Sequence, residues 1–353
     1  MPNTESRYFY IGDSRVGGDA PPFIIAEAGI NHNGDLRIAK EMIRVAKHAG
    51  ADAIKFQTFK AEEFCLDPDQ LFTYTSQEKS VTEPMVEMFK RYEFSQEDWY
   101  ELSEFSKTQD IDFLSTPQNV GDMELLVRIG VPAIKVGSDD LTNTPLIAEY
   151  SSKGLPLVLS TGMSNLDEIY RALDAANWFS GSDVAVMICT SLYPTPIDEA
   201  GIGRVRTLQE AFPGLIVGFS DHTESNLSAA IARALGASIF EKHFTLDRRS
   251  EGPDHWFSPS PSELGEWIAE IRQVDSIVGD YQLRMRPGEA ANKREFQRVI
   301  VASKRIFNGD ALEFSNVTMG RVSGGKGLQP NLLEMVIGRR AKRDYSRGEA
   351  IEL

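Results

Sequence analysis

Two lysines and two histidines are the residues of this sequence whose types and positions most clearly suggest chemistry. Lys55 and Lys135 lie in short apolar runs, where a charged side chain is costly to bury unless it is paired. A substrate that carries a phosphate and a carboxylate would supply that pairing. His222 and His243 each follow an apolar run in the second half of the chain. If those runs are neighbouring strands, the two imidazoles could hold one divalent metal.

Both residue pairs also allow other interpretations. The two histidines could be structural imidazoles that are hydrogen-bonded to their surroundings. A lysine, either Lys55 or Lys135, could form a Schiff base in a metal-free aldolase, which is the main chemical alternative. Two neutral imidazoles with nearby oxygen ligands suit manganese, iron or cobalt better than a structural zinc, which takes four protein ligands.

The elements that must position these residues follow an alternating pattern. Eight short runs of β-branched and aromatic residues are each followed by a segment of helical period, which is typical of a parallel sheet built from βα units. The runs are Phe23–Glu27, Ala53–Phe56, Asp112–Ser115, Ala133–Val136, Leu157–Ser160, Val184–Cys189, Ile216–Ser220 and Ser238–Glu241. Two of the intervening segments, Asp35–Ala49 and Glu224–Leu235, are predicted to be helices that end at Gly50 and Gly236. Eight such units predict an α/β protein with a (β/α)8 TIM barrel.

Polar residues lie at the C-terminal end of every one of the eight runs. Loops are polar in general, but the active sites of TIM barrels lie at this end of the barrel. The residues are Glu27, Lys55, Gln57, Thr116, Lys135, Ser138, Ser160, Thr190, Tyr193, Ser220, His222, Glu241 and His243. We therefore expect them to converge on one site.

Three further segments complete the predicted organisation. Residues 58–95 are too long for a simple βα loop and carry several aromatic residues, so we expect them to cover the barrel mouth. The barrel domain is predicted over residues 1–281 and closes with a helix near 259–278. Residues 282–297 are predicted to be a linker, and residues 298–353 a small, turn-rich β domain.

The charge is unevenly distributed along the chain. The net charge is −15, which argues against nucleic acid and anionic membranes as partners. Residues 1–281 hold 23 basic and 44 acidic side chains (−21), and residues 282–353 hold 14 and 8 (+6). Two cysteines, a polar start without an apolar signal region, and no apolar run near 18 residues predict a cytoplasmic protein without a membrane span.

Seven motifs, in order along the chain, resemble those of the sialic acid synthases. They are Ala26–Gly34 (AEAGINHNG), Lys55–Gln57 (KFQ), Lys135–Ser138 (KVGS), Leu159–Met163 (LSTGM), Cys189–Pro194 (CTSLYP), Gly218–Thr223 (GFSDHT) and Glu241–Phe244 (EKHF). Residues 299–353 resemble the C-terminal antifreeze-like (SAF) domain of that family. The resemblance therefore covers nearly the whole chain.

The resemblance implies a reaction between phosphoenolpyruvate and an open-chain N-acetylmannosamine-type sugar. The products would be a nine-carbon 2-keto sugar acid, N-acetylneuraminate, and phosphate. By the same resemblance His222 and His243 would bind a divalent metal, with Mn²⁺ expected and Mg²⁺ or Co²⁺ as alternatives. Glu27 and Glu241 are candidates for proton transfer or water positioning.

The resemblance also assigns the substrate-binding residues. Phosphoenolpyruvate would be bound by Lys55, Thr116, Lys135, Ser138, Ser160, Ser191 and Ser220. The sugar would be bound by Glu27, Gln57, Tyr193, Asp254 and Arg321. Arg321 would reach from the SAF domain into the site of a partner subunit, which implies a domain-swapped homodimer and would bring the +6 segment to the mouth of the −21 barrel.

The sequence departs from the family pattern at the barrel mouth. Ser191 replaces an asparagine common in the family, and Gly137–Asp140 reads GSDD where Gly-Ser-Gly-Glu is common. A 2,4-diacetamido-trideoxymannose that leads to a legionaminic acid is therefore an alternative substrate, whereas the first motif disfavours a pseudaminic acid product. A different class, a carbohydrate- or ice-binding protein with the barrel as a scaffold, would leave the lysines and histidines at the strand ends unexplained.

Overall fold

Strands and helices alternate along most of the chain in this computed structural model, which describes residues 7–353. The strands are β1 (Tyr8–Ile11), β2 (Ser14–Gly17), β3 (Phe23–Gly29), β4 (Ala53–Thr58), β5 (Leu71–Ser76), β6 (Lys79–Pro84), β7 (Asp112–Pro117), β8 (Ile134–Val136), β9 (Leu157–Ser160), β10 (Val184–Ile188), β11 (Ile216–Ser220), β12 (Ile239–His243), β13 (Val299–Ala302) and β14 (Val317–Gly320). The helices are α1 (Leu36–Ala49), α2 (Ala61–Phe64), α3 (Met85–Lys90), α4 (Gln96–Thr108), α5 (Val120–Ile129), α6 (Thr144–Ser151), α7 (Leu166–Ala175), α8 (Arg204–Ala211), α9 (Asn226–Ala234), α10 (Pro261–Val278), α11 (Ala290–Phe296) and α12 (Leu333–Val336).

Eight of these strands form one parallel sheet in the order β7, β4, β3, β12, β11, β10, β9, β8. The strands at the two edges, β7 and β8, pack side by side, so the sheet curves into a nearly closed barrel. Each of the eight predicted apolar runs is one of these strands, with end points that differ by at most two residues. The predicted (β/α)8 TIM barrel is therefore confirmed.

The hairpin of β1 and β2 precedes the barrel and was not predicted from the sequence. Its buried side chains Phe9, Ile11 and Val16 pack in one cluster with residues of the barrel strands, such as Phe23 and Ile216. A hairpin needs an apolar surface for stability, and the N-terminal end of the barrel supplies one. Of the starting segment Met1–Tyr10, which was predicted to lack a signal region, residues 1–6 lie outside the described range.

Capping residues explain where the predicted helices begin and end. The helix expected to start at Asp35 begins one residue later, because Asp35 is the N-cap and its side chain accepts hydrogen bonds from the backbone N–H groups of Arg37 and Ile38. Gly50 ends this helix in the left-handed region with φ 96°. Ser225 caps α9 in the same way and shifts its start from the predicted Glu224 to Asn226.

The long segment between β4 and α4 has structure of its own. It contains α2, the antiparallel hairpin of β5 and β6, and α3. The aromatic rings of Phe59, Phe64 and Phe89 pack edge to face, with centroids 5.0 to 5.5 Å apart. This segment therefore adds an aromatic wall beside the C-terminal ends of the barrel strands.

The second compact unit comprises residues 280–353, so the two units divide between Gly279 and Asp280. The strands β13 and β14 pair antiparallel, and isolated bridges such as Ile306–Tyr345 extend the β structure. The segment predicted to be a linker, 282–297, belongs to this unit and contains α11, whose residue Arg294 lies directly against Gly325. Among residues 7–353, no helix is both long and apolar enough to cross a membrane.

Candidate active site

Inside the barrel, the polar side chains of the site form a layer next to an apolar layer, on the side of the C-terminal ends of the strands. Side chains that point into a barrel alternate along each strand. The apolar layer contains Ile25, Ala53, Leu114, Ala133, Val158 and Ile239, and the residues two positions further along these strands are Glu27, Lys55, Thr116, Lys135, Ser160 and Glu241. The alternation of the strands therefore aims all six polar side chains at the C-terminal opening of the barrel.

A cavity of about 300 Å³ lies at this opening, and we call it the inner cavity. Thirteen of the fifteen residues predicted for the site line it. They are Glu27, Lys55, Gln57, Thr116, Lys135, Ser138, Ser160, Ser191, Tyr193, Ser220, His222, Glu241 and His243. The structure thus brings together residues from all eight barrel strands or the loops that follow them.

Two lysines and two carboxylates form a buried charge cluster at the base of the inner cavity. The Lys55 Nζ atom lies 2.7 Å from Glu27 Oε2 and 3.6 Å from Glu241 Oε2. The Lys135 ammonium donates to Ser160 Oγ at 2.7 Å and lies 3.9 Å from Glu241 Oε1. The carboxylate nearest to Lys135 is therefore a distant one, that of Glu241, and Lys55 is a neighbouring cation.

The surroundings separate the proton affinities of the two carboxyl groups. Burial raises the pKa of Glu27 to about 7, against the opposing effect of Lys55. Burial also acts on Glu241, but Lys135, Lys55 and the hydroxyl of Ser220, which donates to Oε1 at 3.0 Å, outweigh it and hold its pKa at about 2. Glu241 is therefore the permanent charge, and Glu27 is the group that can exchange a proton near neutral pH.

The two lysines also differ in proton affinity. Burial lowers the pKa of Lys135, and the Glu241 carboxylate only partly compensates for this. Burial would lower the pKa of Lys55 as well, but Glu241 and Glu27 together raise it above its usual value. An anion bound next to Lys135 would supply the charge partner that this ammonium group lacks.

Hydroxyl groups and one backbone N–H surround the open side of Lys135. The Gly162 N–H donates to Ser138 Oγ at 3.0 Å and to Cys189 Sγ at 3.1 Å. A Cβ atom on Gly162 would lie 2.1 Å from Ser191 Oγ and 2.8 Å from Ser138 Oγ, so only glycine leaves room for these hydroxyl groups. Lys135 and this cluster of small polar groups fit a phosphate group.

The histidine pair has the donor set for a metal with open coordination positions. The His222 Nδ1–H donates to the Thr190 carbonyl at 2.8 Å, so the lone pair of the ring is on Nε2, the ligand atom for a metal. Nε2 lies 3.3 Å from Ser220 Oγ, a hydroxyl that donates to Glu241. His243 Nδ1 is buried without a hydrogen-bond partner, and the two ring centroids lie 5.8 Å apart. Burial lowers the pKa of both rings, so both are neutral at pH 7.

Within residues 7–353, no third acidic, histidine or cysteine side chain is arranged with this pair to hold a metal. Two neutral imidazoles therefore fit an ion that takes its remaining ligands from water and substrate, and do not fit a structural four-ligand site.

A second cavity of about 480 Å³ adjoins the first, and we call it the outer cavity. Five residues line both cavities: Gln57, Phe89, Ser191, Tyr193 and His243. The other residues lining the outer cavity are Ile30, Phe72, Thr73, Tyr74, Thr75, Met88, Leu192, Pro253, Asp254, Trp256 and Phe257. Asp254, which was predicted to bind sugar, is thus in the outer cavity, with its Oδ2 atom 3.9 Å from His243 Nδ1.

The loop that follows β12 carries Asp254, and hydrogen bonds fix it to the loop that follows β3. The Asn31 side-chain amide donates to the Phe244 carbonyl at 2.9 Å and to Ser258 Oγ at 3.1 Å. The Asn33 Oδ1 and His255 Nε2 atoms lie 3.1 Å apart, within hydrogen-bond distance. These contacts give the asparagines of the AEAGINHNG motif a structural role, which is to hold the loop after β12 in place.

Several lining residues were missed from the sequence. The aromatic residues Phe59, Phe64 and Phe89 also line the inner cavity, and only the aromatic content of residues 58–95 indicated them. Cys189 was not among the predicted site residues, yet its sulfur contacts Ser138 and Gly162. Arg321 lies in the second unit, where its Nε–H donates to the Phe296 carbonyl at 3.1 Å, so its place in a site stays a prediction.

Comparison with known proteins gives consistent matches. Residues 42–282 match the model of the NeuB family. The N,N'-diacetyllegionaminic acid synthase of Legionella pneumophila is 35% identical over 333 residues, which cover 93% of this chain and 93% of that protein. The human N-acetylneuraminate-9-phosphate synthase is 33% identical over 329 residues, which cover 92% of this chain and 90% of that protein.

A solved structure agrees with these matches. The N-acetylneuraminic acid synthetase of Leptospira borgpetersenii, determined with citrate, superposes with a TM-score of 0.71 at 32% identity. The superposition covers 81% of this chain and 95% of that one.

Proposed function

The chain belongs to the NeuB family of sialic acid synthases, and from that premise we propose that it condenses phosphoenolpyruvate with an N-acylated amino sugar to a nonulosonic acid and phosphate. The observation that carries this proposal is the inner cavity, where two buried lysines, a ring of hydroxyl groups and two neutral histidines meet at the C-terminal end of the barrel.

Phosphoenolpyruvate matches the charges of the inner cavity. Its phosphate would bind Lys135 and the hydroxyl groups of Ser138, Ser160 and Ser191. Its carboxylate would bind Lys55 and Thr116, whose hydroxyl already accepts a hydrogen bond from Lys55 at 3.2 Å. Both buried ammonium groups would then have counterions.

Charge balance selects the carboxyl group that carries the proton. Phosphoenolpyruvate brings about three negative charges into a cavity that already holds two lysines and two carboxyl groups. One carboxyl group is therefore protonated in the complex, and Glu27 has the higher proton affinity. Glu241 stays ionised because Lys135, Lys55 and Ser220 stabilise its charge.

The reaction can then be followed bond by bond. The methylene carbon of phosphoenolpyruvate attacks the sugar aldehyde carbon, a C–C bond forms, and Glu27 gives its proton to the aldehyde oxygen. A water molecule adds to the resulting cationic carbon and returns a proton to Glu27. The C–O bond to phosphate then breaks, and the remaining hydroxyl group gives its proton to the departing phosphate and becomes the ketone.

His222 and His243 are the residues that would hold a divalent metal, with Mn²⁺ as the first candidate. When it is bound, such an ion supplies Lewis-acid polarisation of the aldehyde oxygen. The rings of Tyr193 and Phe257 pack on the histidines, with centroids 4.2 Å from His222 and 5.4 Å from His243, and fix their orientation. Gln57 and Asp254 would bind the sugar on the outer side.

The test is phosphate release from phosphoenolpyruvate with a panel of amino sugars. We expect release only when an N-acylated amino sugar and a divalent metal are both present. N-acetylmannosamine gives N-acetylneuraminate, and 2,4-diacetamido-2,4,6-trideoxymannose gives a legionaminic acid. Activity that persists in excess chelator, together with borohydride trapping of substrate on a lysine, would show a Schiff-base aldolase instead.

We further propose that Arg321 completes the sugar site of a partner subunit in a homodimer. Mixed dimers of Lys135→Met and Arg321→Gln chains test this. If Arg321 acts in the partner, each mixed dimer contains one site with both native residues and regains the native sugar KM. If Arg321 acts within its own chain, neither site is complete, and the mixed dimers show only the defects of their parents.

A further inference from the structure

Asp221 and Lys242 are charged residues of the GFSDHT and EKHF motifs, yet they line neither cavity. Each immediately precedes one of the two histidines, and both side chains point out of the barrel toward Trp267 of α10. The exposed fraction of the side chain is 0% for Asp221 and 6% for Lys242. The reaction proposed above uses neither group, so this buried ion pair needs another explanation.

The pairing of β11 with β12 places the ion pair between the cavity and the histidines. Ser220 lies opposite Glu241 in the register, and both line the inner cavity. One residue further along, Asp221 and Lys242 face outward, and the Asp221 backbone N–H donates to the Glu241 carbonyl at 2.8 Å. The next residue on each side is a histidine, which faces inward again. The outward pair therefore links the two strands at the positions that immediately precede the histidines.

Hydrogen bonds join Lys242 to the residues on both sides of His222. The Lys242 ammonium group donates to Asp221 Oδ2 at 2.9 Å and to the Thr223 carbonyl at 2.6 Å. The Thr223 backbone N–H donates to Asp221 Oδ1 at 2.9 Å, and its hydroxyl group donates to the same oxygen at 2.8 Å. The main chain that carries His222 is therefore fixed to β12 both before and after the histidine.

A tryptophan of α10 completes the surroundings of the carboxylate. The Trp267 indole N–H donates to Asp221 Oδ2 at 2.9 Å, and the centre of its buried ring lies 5.7 Å from the Lys242 ammonium group. A buried ion pair usually adds little stability over an apolar pair of the same volume, because both charges lose their hydration. Its charge-assisted hydrogen bonds are directional, however, so it fixes the geometry of the segments that it joins.

The two histidines depend on this geometry to different degrees. The His222 ring is oriented by its hydrogen bond to the Thr190 carbonyl. His243 Nδ1 has no hydrogen-bond partner among the described residues, so ring packing and the position of its main chain determine where the ring lies. The preceding residue, Lys242, holds that main chain to the loop that follows β11.

We infer that Asp221 and Lys242 are positioning residues, which set the separation and orientation of His222 and His243 for one metal ion. They contact neither cavity and act through the main chain of the histidines. This inference rests on the metal-binding role proposed above for the histidine pair. Residues that orient metal ligands in this indirect way typically change metal affinity by about 10- to 100-fold when they are removed.

The experiment measures Mn²⁺ binding by full-length Lys242→Met. This substitution removes the ammonium group but keeps the length of the side chain, and Asp221 retains the donors of Thr223 and Trp267. We expect the Kd for one equivalent of Mn²⁺ to rise at least about tenfold, measured by the electron paramagnetic resonance of free Mn²⁺. The spectrum of bound Mn²⁺ should also change, because the two imidazoles move relative to each other.

The outcomes separate this inference from the metal-binding role on which it rests. Native affinity and a native spectrum of bound Mn²⁺ in Lys242→Met would overturn the inference and leave the metal-binding role intact. If the unmodified protein binds no Mn²⁺, the metal-binding role and the inference both fail.

Arg233→Met is the matched control for the loss of a cation. Arg233 joins α9 to Asp275 of α10 through two contacts of 2.8 and 2.7 Å, and its side chain is only 9% exposed. The control should lower the free energy of unfolding in denaturant titrations but bind Mn²⁺ with native affinity. An equal loss of Mn²⁺ affinity in Arg233→Met and Lys242→Met would indicate general destabilisation and contradict the inference.

A milder variant, Trp267→Phe, decides the question if Lys242→Met does not fold. It keeps both charges and an aromatic ring and removes only the indole N–H that donates to Asp221. We expect the Kd for Mn²⁺ to rise about threefold, in line with the loss of one hydrogen bond to a charged group. A Trp267→Phe protein that is less stable in denaturant but has native Mn²⁺ affinity would show that these contacts serve stability alone.

Discussion

The inner and outer cavities adjoin each other but are built from different parts of the fold. Most of the inner cavity comes from the ends of barrel strands, and its four buried charges, Lys55, Lys135, Glu27 and Glu241, lie within those strands. The outer cavity comes from the β5–β6 hairpin, α3 and the loops after β10 and β12. Its lining contains a single carboxylate and no lysine or arginine.

On the function proposed above, the inner cavity would carry out the reaction and the outer cavity would contact the sugar. Charges that must be placed within a fraction of an ångström belong on strands, because neighbouring strands fix one another's positions. Contacts that choose between related sugars can be changed in loops without disturbing those charges. We therefore expect substitutions in the inner cavity to affect turnover of phosphoenolpyruvate with every sugar, and substitutions in the outer cavity to change only the choice of sugar.

The largest expected effect is that of Lys135→Met. Removing this buried ammonium group takes away the main counterion of the phosphate, so kcat/KM for phosphoenolpyruvate should fall about 10³-fold with every sugar. Lys153→Met, at the end of a surface helix, is the control and should have native activity. A loss confined to one sugar would show that the inner cavity also takes part in sugar selection.

The second effect concerns the histidine pair. His222→Ala should weaken the binding of one equivalent of Mn²⁺ by at least about 100-fold, measured by the electron paramagnetic resonance of free Mn²⁺. His48→Ala changes an exposed histidine on α1 and should leave metal binding unchanged. If His222→Ala binds Mn²⁺ as tightly as the native protein, the metal does not bind at this part of the inner cavity.

A smaller effect is expected when a charge is moved into the outer cavity. Thr75→Lys places an ammonium group in its wall, and we expect kcat/KM for N-acetylmannosamine 6-phosphate to rise about tenfold through one charge-assisted contact. Thr75→Met has similar length without charge and should not give this gain. If both variants accept the phosphorylated sugar equally well, the size of the cavity rather than its charge excludes phosphate.

The smallest effect is expected from Tyr74→Phe. The hydroxyl donates to Glu83, so its loss should lower the free energy of unfolding by about 1 kcal/mol in denaturant titrations. The sugar preference should stay unchanged, because the ring remains in the wall. A changed preference would show that the hydroxyl contacts the sugar.

Much of this architecture could be predicted from local patterns. The eight strands were visible because a strand covered on both faces is apolar throughout, and the helix ends because Asp35 and Gly50 have recognisable capping roles. The hairpin of β1 and β2 could not be predicted, because its stability comes from the barrel end on which it packs. The roles of Cys189 and Gly162 depend on contacts between separate loops that no local pattern encodes.

The sequence by itself determined the fold class and the polar residues at the base of the inner cavity, because alternation along each strand places polar residues two positions after apolar ones. Only the tertiary structure decided the proton affinity of each of these groups, and therefore the chemical role that each can take. Glu27 and Glu241 are both strand-end glutamates, and their proton affinities differ because only Glu241 lies near both lysines and the hydroxyl of Ser220. Likewise, the outer cavity exists only because distant loops meet, since burial and electrostatic fields depend on neighbours in space rather than along the chain.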